Sequence, residues 1–210
     1  RRVDFDDRRV LIPAAKSPLL ERVYAAYGRR LLRRGFARVW LGGVAWPAGD
    51  RPTIVFLNHS AWWDPVVALF LARDVLALDA YGLMEGAQLT RYPFFRRIGC
   101  FGAVADDAGA GGGGGRAALD DARAVARYAA GVLRGGARRS VWIFPQGALL
   151  PARTPLAFRS GLARLARAVP EAALVPVALR YEHRAAQRAE CWVRVGEPLR
   201  ADAPEPDAPD

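Results

Sequence analysis

The sequence predicts an α/β domain in which a mostly parallel or mixed sheet is flanked by helices. Short apolar runs alternate with segments whose apolar residues recur at helical spacing, as expected for strands joined by helices. Of the 210 residues, 52% are hydrophobic and 25% charged, which suits one sizeable core and argues against disorder. We therefore expect a single α/β domain.

We divide the chain into three parts. Residues 1–36 are predicted to form an irregular lead-in and an amphipathic basic helix. Residues 37–199 are predicted to form the α/β domain, and residues 200–210, rich in acids, proline and alanine, a disordered tail. Within the domain, strands are predicted at residues 37–42, 54–57, 75–83, 140–144, 173–179 and 191–195, and helices at residues 66–72, 116–133 and 159–169.

The chain is organised around a strand, a polar loop and a helix. The contiguous apolar residues 54–57 predict a buried strand, while Asp64 and Pro65 suit the N-cap and first position of a helix. His59 thus leaves the strand and Asp64 opens the helix, close enough for the carboxylate to reach the imidazole. This arrangement would hold one histidine tautomer, as a general base requires. The alternative is that Asp64 only caps the helix and His59 is an ordinary loop histidine.

The same residues carry a resemblance to a known family. Asn58-His59, followed four residues later by Asp64, resembles the first motif of the glycerolipid acyltransferases, that is, the bacterial lysophosphatidic acid acyltransferases and their relatives. Residues 141–147, which end in Phe-Pro-Gln-Gly, are similar to that family's strand ending in Phe-Pro-Glu-Gly. Residues 158–161 and 175–177 resemble two further blocks in the family's order, so the resemblance spans about residues 38–199.

The resemblance implies a lipid acyltransferase without a cofactor or metal. A fatty acyl group would pass from acyl-CoA or acyl carrier protein to a hydroxyl of a lipid acceptor, by default 1-acyl-glycerol-3-phosphate. His59, oriented by Asp64, would act as general base for direct attack on the thioester, so residues 37–199 would be the acyltransferase domain. The substrate-binding residues carried over from the family motifs are Asn58, Phe144, Pro145, Gln146, Gly147 and Arg159.

Two departures from the family pattern bear on the acceptor. Gln146 stands where the family has glutamate, and the arginine that closes the family's second block is replaced by aspartate at residues 106–107. Arg96 and Arg97, upstream in the same block, and Arg159 are the basic candidates for an acceptor phosphate. An acyltransferase for a non-phosphate lipid alcohol, such as a glycosylated isoprenoid or an amino-acid lipid, is therefore the alternative.

The predicted helix that begins near residue 17 has an apolar stripe with an arginine-rich flank. The stripe comprises Leu19, Leu20, Val23, Tyr24, Tyr27 and Leu31. This pattern is typical of a helix that lies on a membrane, although an amphipathic helix packed on its own domain shows it too. The net charge is +10, although the last ten residues carry four acids and no bases, so the rest of the chain is more basic still. A chain this basic favours binding to polyanions. The alternative is that the many arginines only reflect a GC-rich genome.

Among polyanionic partners we expect an anionic membrane and no nucleic acid, because no nucleic-acid-binding motif is present. No run approaches the roughly 18 consecutive apolar residues of a transmembrane helix. We therefore expect a peripheral protein at the cytoplasmic face of the membrane.

The two cysteines, Cys100 and Cys191, are too few for a disulfide framework and do not have the spacing of metal ligands. Ser60 lacks the Gly-x-Ser-x-Gly context of a nucleophile. A non-catalytic basic membrane-binding protein is the rival from another class.

Overall fold

A computed structural model describes residues 11–44, 46, 51–103 and 114–199, with side chains described from residue 122 onward in the segment that begins at 114. The lead-in residues 1–10, the aspartates at 106–107 and the predicted tail 200–210 lie outside the described residues.

The described helices cover both faces of one sheet. They are α1 (Pro18–Gly35), α2 (Asp64–Phe70), α3 (Gly86–Arg91), α4 (Gly114–Arg134) and α5 (Gly161–Ala168). A π-helical turn, Leu71–Val75, continues α2, and a 3₁₀ turn, Pro93–Ile98, follows α3.

The sheet has eight strands among the described residues. They are β1 (Leu11–Ile12), β2 (Phe36–Gly43), β3 (Thr53–Leu57), β4 (Asp79–Leu83), β5 (Cys100–Ala103), β6 (Arg139–Ile143), β7 (Ala173–Glu182) and β8 (Ala189–Val195). Their order is β1-β5-β4-β6-β3-β7-β8-β2. The pairs β1–β5 and β7–β8 are antiparallel and the others parallel, which confirms the predicted α/β class with a mixed sheet.

Three strand predictions need correction. The strand expected at residues 75–83 begins only at Asp79, because the π-helical turn carries the preceding helix through Val75. The two-residue strand β1 was missed, since a pairing with β5 that short leaves no periodic pattern. Strand β7 runs to Glu182 rather than residue 179, because it pairs along this stretch with the antiparallel β8.

The two faces of the sheet bury separate cores. Val55, Leu57 and Val177 point toward α1 and α2. Ile54 and Phe56 point the other way and pack with residues of α4 and α5. The side chains of a strand alternate between faces, so the continuous apolar run of β3 is explained by burial on both sides.

Helix α1 begins after Ser17, whose hydroxyl accepts from the Leu20 N–H at 3.5 Å. Its buried residues are the small Ala25 and Gly28 together with Leu32. Most of the predicted apolar stripe instead faces outward, with Leu19 69%, Val23 53% and Tyr27 54% exposed, while Tyr24 and Leu31 are half-buried. Packing on the domain therefore uses a different face of α1 from the one that the sequence pattern suggested.

The carboxyl ends of β3 and β6 lie next to each other, because these parallel strands pair from Thr53–Ser140 to Phe56–Ile143. The loop that carries His59 follows β3, and the Phe144–Gly147 turn follows β6. The strand order therefore brings the two main sequence motifs to one edge of the sheet, where open α/β sheets form their sites.

Candidate active site

His59 and Asp64 are in direct contact, as predicted. The His59 Nδ1 atom lies 2.8 Å from Asp64 Oδ2, and Asp64 is fully buried. Asp64 is not the N-cap, however. That position belongs to Trp63, and Asp64 Oδ2 points back into the preceding loop to accept from the N–H groups of Ser60 at 2.6 Å and Ala61 at 2.9 Å.

The second oxygen of Asp64 is held by Tyr181, a residue that no sequence motif indicated. The Tyr181 hydroxyl donates to Asp64 Oδ1 at 2.6 Å. Burial, followed by the hydrogen bond to the carboxylate, raises the pKa of Tyr181 well above its ordinary value, so the phenol stays protonated and remains a donor. No local pattern could have identified Tyr181, because it lies 117 residues from Asp64 and beyond the predicted end of its strand.

This set of donors determines the histidine tautomer. A carboxylate only accepts hydrogen bonds, so the ring nitrogen that faces Asp64 carries the proton. The Nε2 lone pair of His59 is then the part of the ring that can accept a proton. The pair therefore has the arrangement of an oriented general base.

The Phe144–Gly147 turn holds His59 from the other side. The imidazole stacks on Phe144 with ring centroids 4.4 Å apart. The His59 N–H donates to Gln146 Oε1 at 2.7 Å, and the His59 carbonyl accepts from the Leu150 N–H at 2.9 Å. Both backbone polar groups of His59 are thus engaged. Gln146 supplies the same hydrogen-bond acceptor as a glutamate would, but without the negative charge.

Arg159 is also brought to this turn. Its backbone N–H donates to the Pro145 carbonyl at 2.9 Å. Gly147 has φ +68°, and a Cβ there would lie only 2.5 Å from the Arg159 Nε atom. Glycine is needed at this position both for the left-handed backbone and for the close approach of the guanidinium. The structure therefore places a cation beside the turn.

Asn58 has structural contacts that the sequence did not predict. Its amide nitrogen donates to the Leu179 carbonyl at 3.0 Å, and its amide oxygen accepts from the Leu179 N–H at 2.7 Å. The side chain thereby continues the pairing between β3 and β7 just beyond the end of β3. These contacts give Asn58 a positioning role, while its predicted contact with substrate stays a prediction.

The structure does not bring Arg96 to the histidine. Arg96 and Arg97 lie in the 3₁₀ turn that precedes β5, and Arg96 Nε donates to the Pro13 carbonyl at 2.9 Å. The carbonyls of both arginines accept from the N–H groups of Ala15 and Ser17. Their backbone therefore lies before the amino end of β5, whereas His59 follows the carboxyl end of β3.

The two cysteines have properties of core residues. Burial raises the pKa of both Cys100 and Cys191 to about 12, so each thiol stays protonated near neutral pH and is a poor nucleophile. Within the described part of the chain, no three His, Cys, Asp or Glu side chains are grouped as metal ligands would be.

An apolar cavity of about 340 Å³ lies on the same face of the sheet as α2. It is lined by Leu41, Gly42, Gly43, Val44, Trp46, Leu71, Val75, Leu76, Trp142, Val177 and Val195. Trp142 precedes Phe144 by two residues, and Val177 pairs with Leu57, which precedes His59 by two. The cavity therefore lies below the histidine along the strands, and the π-helical turn forms part of its wall.

We predict that Tyr181→Phe lowers the free energy of unfolding by about 1.5–3 kcal/mol, because a buried carboxylate oxygen loses its donor. Urea denaturation followed by circular dichroism measures this loss. Tyr27→Phe, which removes the hydroxyl of an exposed tyrosine on α1, is the matched control and should change little. Equal stabilities for the two variants would contradict the role assigned to the Tyr181 hydroxyl.

Comparison with known proteins identifies the family of the chain. A family model described as Acyltransferase matches residues 27–180, a span that includes both the His59–Asp64 pair and the Phe144–Gly147 turn. No curated protein matches the chain. Among solved structures, the fold is similar to that of the 1-acyl-sn-glycerophosphate (LPA) acyltransferase PlsC from Thermotoga maritima, with a TM-score of 0.58 and 17% identity, covering 89% of this chain and 72% of that one. The chain therefore belongs to the Acyltransferase family, within the glycerolipid acyltransferases that its motifs resemble.

Proposed function

We propose that this acyltransferase moves a fatty acyl group from the thioester of acyl-CoA or acyl carrier protein to a hydroxyl of a lipid acceptor. The observation that carries the proposal is the contact between His59 and the buried Asp64, at an edge of the sheet where the Phe144–Gly147 turn also lies. An oriented imidazole is the group that acyl transfer to an alcohol requires, since the alcohol must lose its proton as it attacks.

The reaction is direct transfer with one proton relay. His59 Nε2 takes the proton of the acceptor hydroxyl while the oxygen forms a bond to the thioester carbonyl carbon. The resulting tetrahedral intermediate collapses, the carbon–sulfur bond breaks, and the thiolate leaves with the proton from His59. Asp64 stabilises the imidazolium that exists between these steps, and it is already held by Tyr181 and the loop N–H groups.

The apolar cavity below His59, on the α2 face of the sheet, suits the acyl chain. Its wall consists of aliphatic and tryptophan side chains and glycines, and it lies on the face of the sheet that carries Asp64. Burial of methylene groups there would contribute about 0.8 kcal/mol for each group. We assign the acyl chain of the donor or of the acceptor to this cavity.

The default acceptor is 1-acyl-glycerol-3-phosphate, with Arg159 as the candidate for its phosphate. Gln146 and the aspartates at residues 106–107, where the family has glutamate and arginine, support a non-phosphate lipid alcohol such as a glycosylated isoprenoid or an amino-acid lipid. Mass spectrometry of products from a panel of acceptors separates the two. Turnover of neutral hydroxyl lipids together with no turnover of any lysophospholipid would select the alternative.

We also propose peripheral contact with an anionic membrane at its cytoplasmic face. The outward stripe of α1 continues into the 3₁₀ turn, because Tyr24 stacks on Phe94 with centroids 5.1 Å apart. Tyr92 and Phe94 are themselves partly exposed, so the two segments form one apolar surface beside the arginines of α1. Aromatic and basic residues of this kind favour the membrane interface. In the described part of the chain, no helix is long and apolar enough to span a bilayer.

We predict that His59→Ala reduces the acyl-transfer rate by about 10²–10⁴-fold, because the proton acceptor is lost. Release of free thiol from acyl-CoA in the presence of acceptor measures the rate, and circular dichroism checks that the variant is folded. His183→Ala, which removes an exposed histidine, should leave the rate unchanged. A non-catalytic basic protein would instead tolerate His59→Ala and lose its function on charge reversal of the α1 arginines.

We predict that Leu41→Trp shifts the preferred acyl chain toward shorter lengths, because the larger side chain occupies part of the cavity. A series of acyl-CoA donors and of acceptors with chains of different length measures the shift. Val39→Trp, two positions earlier on the same strand and outside the cavity wall, is the control. An unchanged length profile in Leu41→Trp would place the acyl chain elsewhere.

We predict that the double variant Val23→Asp/Tyr27→Asp weakens binding to vesicles of anionic phospholipid by about tenfold or more, because two apolar contacts with the bilayer are lost. Co-sedimentation with the vesicles measures binding. Leu199→Asp, at an exposed leucine outside α1, is the control. If the double variant binds as the unmodified protein does, α1 is not the membrane contact.

A further inference from the structure

Two exposed tryptophans stack on the sheet near its β2 edge. Trp40 of β2 and Trp192 of β8 have ring centroids 5.3 Å apart at an interplanar angle of 21°. They are 42% and 36% exposed, although tryptophan usually loses most of its surface in a folded protein. Two guanidinium groups complete the stack, Arg38 at 5.8 Å from the Trp40 centroid and Arg184 at 5.9 Å from that of Trp192.

Further arginines surround this pair. In the β7–β8 register, Arg180 lies opposite Trp192, and Arg194 lies opposite Ala178 on the same face of the sheet. Both arginines are exposed. We call the group the Trp40–Trp192 surface, which consists of Arg38, Trp40, Arg180, Arg184, Trp192 and Arg194.

Two glutamates lie in the same part of the sheet but do not cancel its charge. Glu190 is buried and accepts from Trp40 Nε1 at 2.9 Å and from Arg38 at 3.4 Å. Glu182 pairs with Arg180. Four arginines against two glutamates leave the Trp40–Trp192 surface with a net positive charge.

The position of the surface relates it to the active site. Arg180 directly follows Leu179, whose backbone holds Asn58 beside His59. Strand β8 is the second strand from β3, so Trp192 lies about 10 Å across the sheet from the chain that carries the histidine, at two strand spacings. The surface is on the face opposite to α1 and α2, because Val177 and Leu179 point to that core and Arg180 points away.

We propose that the Trp40–Trp192 surface docks an acidic protein that carries the acyl group as a thioester, that is, an acyl carrier protein. The inference rests on the proposed function and concerns the protein-borne one of its two proposed donors. Exposed guanidinium groups bind surface carboxylates by bidentate hydrogen bonds, and tryptophan and arginine are the residues that most often dominate protein interfaces. Complementary charge would also orient the carrier as it approaches.

The geometry disfavours other occupants. A nucleotide or nucleic-acid base would need a free ring face, but each indole already stacks on the other indole and has a guanidinium carbon 5.8 or 5.9 Å from its centroid. A bilayer on the apolar surface of α1 would lie on the opposite side of the sheet. A second copy of this chain would bring two positively charged surfaces together in a symmetric contact.

The test uses the full chain, palmitoyl-acyl carrier protein and palmitoyl-CoA. We expect Arg180→Glu/Arg194→Glu to raise both the Kd for the carrier, measured by isothermal titration calorimetry, and the KM for its palmitoyl form by about tenfold or more. The KM for palmitoyl-CoA and kcat should not change. Arg127→Glu/Arg167→Glu, the same charge change at exposed arginines of α4 and α5, is the matched control and should behave as the unmodified protein.

Three results would overturn the docking proposal. The first is that the unmodified protein does not bind the carrier, and the second is that both double variants bind it equally well. The third is that Arg180→Glu/Arg194→Glu loses only its binding to vesicles or its self-association, while carrier binding is unchanged. Calorimetry requires no turnover, so failure of the proposed function is distinguishable. Carrier binding that depends on Arg180 and Arg194, without acyl transfer from either donor, would retain the docking surface and reject the lipid acyltransferase activity.

Discussion

The fully buried carboxylate of Asp64 is the interaction on which the site depends. A charged group without water is costly unless hydrogen bonds replace its hydration, and here four donors do so: the His59 ring, two loop N–H groups and the Tyr181 hydroxyl. These donors come from the loop after β3 and from the far end of β7. The need to satisfy one carboxylate therefore determines the position of the histidine, the path of its loop and the orientation of a neighbouring strand.

The substitution at Gln146 separates two roles that a glutamate would combine. The Gln146 side chain accepts a hydrogen bond from the His59 N–H, while the Leu150 N–H donates to the His59 carbonyl. The contact between residue 146 and His59 therefore requires a hydrogen-bond acceptor but not a negative charge. Glutamine preserves the position of the histidine, whereas the electrostatic environment beside the turn becomes more positive with Arg159 close by. Glutamine at this position therefore keeps His59 in place while it removes a negative charge from beside the turn.

The two faces of the sheet carry different surfaces. On one side α1 presents leucine, valine and tyrosine to solvent, and on the other the Trp40–Trp192 surface presents indole edges and guanidinium groups. The active site lies at the edge between them. An arrangement of this kind would let a lipid acceptor arrive from one side and a protein-borne donor from the other, so that both substrates meet at His59.

Much of the fold and part of the site were predictable from the sequence, because they depend on neighbouring residues. The apolar run of β3, the spacing of His59 and Asp64, and the helical periodicity of α4 and α5 are local features that physics and the family motifs both specify. The role of Tyr181, the pairing of Asn58 with Leu179 and the stacking of Trp40 on Trp192 depend on strand order across more than 100 residues. The outward stripe of α1 belongs with them, since only packing shows that Ala25, Gly28 and Leu32 form its buried face. Local sequence thus determined the elements and the acid–base pair, whereas tertiary structure decided which distant donors hold that pair and which surfaces face solvent.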